Sequence, residues 1–558
     1  MRFSRGEAEL QRGGLAVTPA ALRDPPDEIS SSFAEFSRRK IGGHMGRKAT
    51  SRPGGEEDRA ASAGGDGGGG ARRGAQVLQR LRERPPAIWY RGEPVRDVTE
   101  HPAFRGGVAT LAALYDLQWE RPQVSLYDSP SSGNKVARSY MMPRTHADLQ
   151  SISVAMKVWE DYTHGMMGRV PDYINRALTG YAAGAPFLAE ADPRFGANAV
   201  RYYEYLREND LCLTHTLIPP QANRAVSAAK QADPFLAARI KEETDAGIVI
   251  RGCRMLATLP MSDELMVFPS TLLKSPEEDA PYAFGFCIPN DTPGLRFICR
   301  ESVDYGRSHF DHPLGARFEE MDAVVVFDDV FVPWENVFLY RDIKRCNEAY
   351  ARTGAVVHMT HQVVVKNIAK TEFLLGLAWL MVSAIGAEVF QHIQEKLAEM
   401  WINLETMKAF LRTAEADAAL DEWGVMRPAW NPLDAARNLY PRLYPRMVEI
   451  IQQIGASGLV AMPTEADLKG PLAEDIKKYY QAARADAFDR IPLYRLAWDT
   501  AVSAFGSRQV LYERFFFGDP VRMAGALVAG HGAQIQDYAD KVRAFVKLGR
   551  DEALAGRG

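Results

Sequence analysis

Cysteine is scarce in this sequence: five residues in 558, namely Cys212, Cys253, Cys287, Cys299 and Cys346, with no C-x-x-C pair among them. That scatter excludes the usual zinc and iron–sulfur ligand patterns, and it predicts reduced core thiols in a cytoplasmic protein with no bound metal. Charge of one sign is lacking too. A formal net charge of −4 offers no overall basic field to nucleic acid or to an acidic membrane surface, so a small-molecule partner is expected. No apolar run reaches the roughly 18–20 residues that a membrane-spanning helix needs. The longest, residues 373–385, reads as a buried bundle helix. No G-x-G-x-x-G follows a strand pattern, which argues against a doubly wound nucleotide-binding sheet.

What is present is an ordinary globular composition, 46% hydrophobic and 25% charged, in a chain long enough to divide its core between two or more domains. Residues 1–80 mix arginines with acids around the run Gly64-Gly65-Asp66-Gly67-Gly68-Gly69-Gly70. Such a segment buries too little apolar surface to offset chain entropy and is read as a disordered extension. Its acids argue against a transit peptide, no secretory apolar core follows Met1, and the start is left open between Met1 and Met45. Residues 81–208 carry apolar residues at helical spacing, as in Leu149, Ile152, Met156 and Trp159. Residues 209–345 change to short apolar runs broken by Gly, Pro and Asp, such as Ala323-Val324-Val325-Val326-Phe327. Residues 346–558 return to long helices, expected at 358–395, 397–420, 433–454 and 488–513. The class is α+β and multidomain: helical, β, helical.

Four strings in register carry a resemblance. They are His164-Gly165-Met166-Met167-Gly168-Arg169-Val170-Pro171-Asp172-Tyr173; Leu213-Thr214-His215; Lys241-Glu242-Glu243-Thr244-Asp245-Ala246-Gly247-Ile248-Val249; and Val332-Pro333-Trp334-Glu335-Asn336-Val337. Together with Gly506-Ser507-Arg508-Gln509-Val510-Leu511-Tyr512-Glu513-Arg514, they resemble the 4-hydroxyphenylacetate 3-monooxygenase large-component family. The resemblance implies an acyl-CoA dehydrogenase-like fold with an N-terminal helical domain, a central β-barrel and a C-terminal four-helix bundle that assembles as a homotetramer. It also implies reduced FAD from a separate NAD(P)H:flavin reductase, molecular oxygen as co-substrate, and ortho hydroxylation of a phenol through a C4a-hydroperoxyflavin.

The same resemblance assigns a site. A phenol needs a positioned base, and histidine titrates near neutrality. His164 is the expected base, at a turn whose His164, Gly165, Met166, Val170, Pro171, Asp172 and Tyr173 are expected flavin contacts. Arg121 and Tyr127 are the expected phenol-binding pair, with Arg138 and Tyr140 competing for the role. Thr214 is expected to hydrogen-bond the flavin ring and Ser227 to touch the substrate. Ala456, Ser457, Gly458 and Leu459 follow a helix with small residues, as where backbone N–H groups approach a phosphate; an ordinary Gly-terminated helix is the plainer reading. Two relatives of the same fold are weighed against this function, along with a non-catalytic scaffold. An acyl-CoA dehydrogenase needs a carboxylate base, and no glutamate has a convincing setting for it. A 4-hydroxybutyryl-CoA dehydratase needs closely spaced cysteines before Cys212, where there are none.

Overall fold

Helix α1 (Gly74–Glu83) begins inside the 1–80 segment that composition marks as unstructured. The residue that ties it down is Arg72, whose guanidinium is buried against Asp263 at 2.6 Å and donates to the Asp210 carbonyl at 2.8 Å. A buried, paired cation anchors backbone that composition alone leaves free. The computed structural model describes residues 69–556 except 221, 270–272 and 276. The disorder expected for 1–68 and the choice between Met1 and Met45 lie outside the described residues.

The first helical layer contains α2 (Arg105–Glu120), α3 (His146–Thr163), α4 (Pro171–Ala183) and α5 (Pro193–Asn209). Thr145 opens α3 with a reciprocal capping box to Asp148, and Pro171 opens α4 at its first turn, where a missing N–H costs nothing. All thirteen residues of α4 are buried.

The β layer is made of two sheets. One has six strands in the order β2-β1-β10-β11-β7-β6, with β1 (Ile88–Tyr90), β2 (Glu93–Pro94), β6 (Arg239–Thr244), β7 (Gly247–Thr258), β10 (Leu295–Cys299) and β11 (Asp322–Pro333). The other runs β12-β9-β8-β5, with β5 (Leu213–Thr216), β8 (Glu264–Val267), β9 (Phe284–Pro289) and β12 (Val337–Tyr340). A hairpin of β3 (Leu126–Asp128) and β4 (Lys135–Ala137) stands apart. The expected closed barrel is not formed among the described residues. Where ladder bonds would join β5 to β7, hydroxyls do so instead: Thr214 Oγ1 donates to the Thr258 carbonyl at 2.7 Å and Thr216 Oγ1 to the Met255 carbonyl at 3.0 Å. Strand β1 comes from the first helical segment and pairs in parallel with β10, so the sheet recruits chain from across the expected boundary at 208.

The last layer holds α6 (Ile343–Arg352), α7 (Ala355–Ala384), α8 (Gln391–Ala416), α9 (Trp430–Gly455), α10 (Ala487–Ala501), α11 (Ala504–Phe515), α12 (Pro520–Gly530) and α13 (Gly532–Ala555). The single helix expected at 488–513 is two, because Ser503 turns the chain: its Oγ bonds Asp499 behind it and caps Gly506 ahead. Helix α7 is buried on every side from Ala355 to Thr371. Its 373–385 portion buries only one face. Leu374, Leu377 and Met381 point inward while Trp379 and Leu380 are exposed, so the reading of a fully buried segment is corrected.

Candidate active site

The turn between α3 and α4 is held by close approach on two sides. Gly165 sits at φ +64°, and a Cβ there would lie 2.8 Å from the Lys366 carbonyl oxygen; one on Gly168 would lie 2.4 Å from Tyr512 Cζ. Glycine is therefore required for packing against α7 and α11. Met166 and Val170 are core residues, and Asp172 accepts from Gln362 inside the protein.

His164 ends α3 in the left-handed conformation at φ 54°. The residue is exposed, its ring stacked on Phe373 at 4.7 Å and edge-on to Phe318 at 6.4 Å. Desolvation between these rings lowers its pKa. It does not meet Arg121 or Tyr127. Arg121 is exposed at the end of α2, and Tyr127, in β3, has its pKa raised by burial beside Tyr203, Arg207 and Arg176. The competing pair is spent on backbone: Arg138 donates to the carbonyls of Val124 and Leu126, and Tyr140 to that of Leu211. No direct side-chain contact joins the expected trio among the described residues. His164→Gly is expected to raise stability by up to about 1 kcal/mol by relieving the left-handed backbone and to keep the ratio of product to oxygen within about twofold; a tenfold loss of that ratio would restore the imidazole as base.

Thr214 uses its proton on Thr258, and Ser227 is half-buried just before a short turn. Ala456, at φ 44°, and Ser457 are exposed, Gly458 lies against Tyr494, and Leu459 is buried.

The structure does bring together three other side chains. Arg169 follows the turn, Tyr173 lies one helical turn further on, and His215 comes from β5. The Arg169 Cζ stands 4.1 Å from the Tyr173 ring centroid, and the Tyr173 and His215 rings are 5.7 Å apart. Arg169 and Tyr173 are only 7% and 2% exposed, yet Arg169 Nε and Nη1 and His215 Nδ1 are buried with no hydrogen-bond partner. Buried polar atoms are nearly always paired, so these three, lying on either side of the Tyr173 ring, mark a candidate ligand site. Burial, then Arg169, holds the His215 pKa well below its ordinary value, which favours the neutral imidazole. Phe268 at 5.5 Å from His215 and Phe516 at 5.1 Å from Arg169 supply aromatic walls. The legible signal was the four-residue spacing of Arg169 and Tyr173 inside a string already singled out, with His215 in the next one.

Comparison with known proteins agrees with this architecture. Residues 73–339 match the family model described as 4-hydroxyphenylacetate 3-hydroxylase N terminal, and 346–547 match its C-terminal counterpart. The 4-hydroxyphenylacetate 3-monooxygenase oxygenase component of Thermus thermophilus is 49% identical over 476 residues, 85% of this chain and 97% of that protein. That of a Geobacillus strain is 48% identical over 85% of this chain and 96% of its own length. A solved oxygenase component complexed with FAD and 4-hydroxyphenylacetate superposes with a TM-score of 0.81 at 49% identity, covering 86% of this chain and 98% of that one. An archaeal 4-hydroxybutyryl-CoA dehydratase, at 20% identity and a TM-score of 0.77, shares the fold alone. The helical, β, helical order is that of the acyl-CoA dehydrogenase-like fold, and matches across both halves of the chain establish that it belongs to the 4-hydroxyphenylacetate 3-hydroxylase family.

Proposed function

We propose that this chain is the oxygenase component of a two-component flavin monooxygenase that hydroxylates a phenol ortho to its hydroxyl, with Arg169, Tyr173 and His215 as the phenol-binding and catalytic residues. The observation that carries the reading is that unpaired buried atoms of Arg169 and His215 both neighbour the buried Tyr173 ring. Reduced FAD, delivered by a separate reductase, supplies the activated oxygen. Aromatic side chains such as Tyr173 and Phe268, beside β5, are of the kind that would lie against a flat ring of that group. The chain's own part follows from chemistry. His215 Nδ1 accepts the phenol proton, raising electron density at the ortho carbon, and the Arg169 donors hold the oxygen that loses it. Tyr173 and Phe268 orient the ring and keep water away.

A cytoplasmic location fits the five scattered cysteines, none of them paired. Assembly into a tetramer belongs to the same reading. Trp379, Leu380, Phe390, Trp401 and Ile402 are exposed on or next to α7 and α8, and α13 has no buried residue. The exposed 456–459 loop would serve a flavin shared with a second copy. The dehydratase reading finds no support in side chains, because no group of three His, Cys, Asp or Glu placed to hold a metal occurs among the described residues. No helix among them is long and apolar enough to cross a membrane. Supplying the purified chain with a flavin reductase, NADH, FAD and a panel of phenols should give ortho-dihydroxy products. Oxygen consumption with peroxide as the sole product across the panel would reject the assignment.

A further inference from the structure

Helix α11 meets the α3–α4 turn with one face, made of Arg508, Gln509, Tyr512 and Glu513 at helical spacing. Gln509 Nε2 donates to the Met166 carbonyl at 2.7 Å and the Tyr512 hydroxyl to that of Gly168 at 3.1 Å. Gln509 Oε1 accepts from Lys370 Nζ at 2.9 Å, which fixes the amide the right way round for its bond to the turn. Arg508 reaches Asp322 at 2.6 Å and also Glu320, whose other oxygen accepts from the Arg169 N–H at 2.9 Å. Glu513 accepts from Lys366 and Lys370 of α7, each at 2.6 Å. Arg508 thus fastens α11 to the β layer and Glu513 fastens it to the bundle. Arg300, Arg508, Lys366 and Lys370 face Glu319, Glu320, Asp322 and Glu513, so charge is balanced and what α11 brings to the turn is position.

The turn needs such a hold from outside. His164 and Gly165 are both left-handed, at φ 54° and 64°, and a non-glycine residue stays in that region when its surroundings over-determine it. Local bonds cover only the two ends: the N–H groups of His164, Gly165 and Met166 return to carbonyls of α3, and that of Tyr173 to the Val170 carbonyl. Among the described residues, the Met166 and Gly168 carbonyls and the Arg169 N–H are bonded only to α11 and to the Glu320 that Arg508 holds. The residues expected to touch the flavin, His164 to Met166 and Val170 to Tyr173, flank this pinned middle.

We propose that Gln509 and Tyr512 are positioning residues for the flavin: their hydrogen bonds to the Met166 and Gly168 carbonyls set the α3–α4 turn where it can receive the ring. They act through the backbone of the turn. The inference rests on the reading that the flavin lies against this turn. The rival role is plain core packing, which would show as lost stability with flavin binding unaltered.

Two substitutions each remove one donor and little else. Gln509→Glu keeps the shape and the bond to Lys370 but cannot donate to Met166, and Tyr512→Phe keeps the ring against Gly168 without its hydroxyl. FAD affinity is read from flavin fluorescence, amide exchange of residues 164–170 by mass spectrometry with and without FAD, and stability by thermal unfolding. In each folded variant the Kd for FAD should rise about tenfold, the upper worth of one neutral hydrogen bond, and FAD should protect the 164–170 amides less than in the parent. Product per oxygen consumed at saturating reduced FAD should also fall about tenfold, since a displacement of about 1 Å can cost a hundredfold. Parental Kd and parental protection in both folded variants overturn the proposal. So does a lowered unfolding temperature with Kd unaltered, or collapse of both variants, either of which assigns the two side chains to folding alone. If FAD leaves the exchange of 164–170 unchanged in the parent, the flavin does not lie against the turn and that reading fails together with the inference. If FAD protects the parent turn and the variants match it, the inference alone fails.

Discussion

Replacing Arg169 with methionine will lower kcat/KM for the phenol by about two to three orders of magnitude. Two guanidinium donors, Nε and Nη1, are buried and unpaired. Hydrogen bonds to a charged partner contribute about 1.5–3 kcal/mol each, and every 1.36 kcal/mol corresponds to a factor of ten in rate. Methionine keeps much of the volume against Tyr173, Tyr512 and Phe516. Glu320 keeps its partner Arg508, so no orphaned carboxylate is created. Lysine should restore little, because a point charge cannot present two donors in a fixed plane. Steady-state kinetics with a saturating flavin reductase would measure the effect, with circular dichroism to verify the fold. A kcat/KM within threefold of the parent would remove Arg169 from the site.

His215→Phe will lower coupled hydroxylation about a hundredfold or more, the usual worth of a positioned base, while oxygen consumption continues and peroxide replaces product. Phenylalanine preserves the ring contacts to Tyr173 and Phe268 and removes only the nitrogens. Equal product yield per oxygen in parent and variant would show that the imidazole takes no proton. Because burial holds this pKa well below 6.5, the parent should hydroxylate at a steady rate above that value and lose activity only on further acidification. The sign for stability follows the same proton. Below pH 6.5 the unfolded chain binds it and the folded chain does not, so stability is full above 6.5 and falls as pH falls. His358, also lowered by burial and by Arg176, adds to the slope. In chemical unfolding the His215→Phe variant should lose part of this acid sensitivity.

These two residues mark the limit of what a linear reading could reach. His215 stood in a quoted string but was passed over for its neighbour Thr214, whose hydroxyl the structure commits to Thr258. His164 opens the most telling string, and in the structure it caps α3 with its ring stacked on Phe373. Spacing says that a histidine ends a helix or sits in a strand. It does not say which way the ring turns, because that depends on Phe318, Phe373, Phe268 and Tyr173 arriving from other elements. The buried charges of α7 were equally hidden. Lys366, Lys370, Gln362 and His361 look like the polar face of a surface helix, and only a surround of α3, α4, α9 and α11 makes them internal.

Local chemistry, which neighbouring residues settle among themselves, was therefore legible from the amino acids alone: the helical, β, helical order, the lack of a nucleotide-binding glycine loop, the α3–α4 turn and the family to which those strings belong. The separation of the β layer into two sheets, the anchoring of Arg72, the break at Ser503 and the meeting of Arg169, Tyr173 and His215 were decided only in three dimensions. Each of these rests on contacts between residues far apart in the chain, and side-chain direction and burial have no counterpart in a one-dimensional pattern.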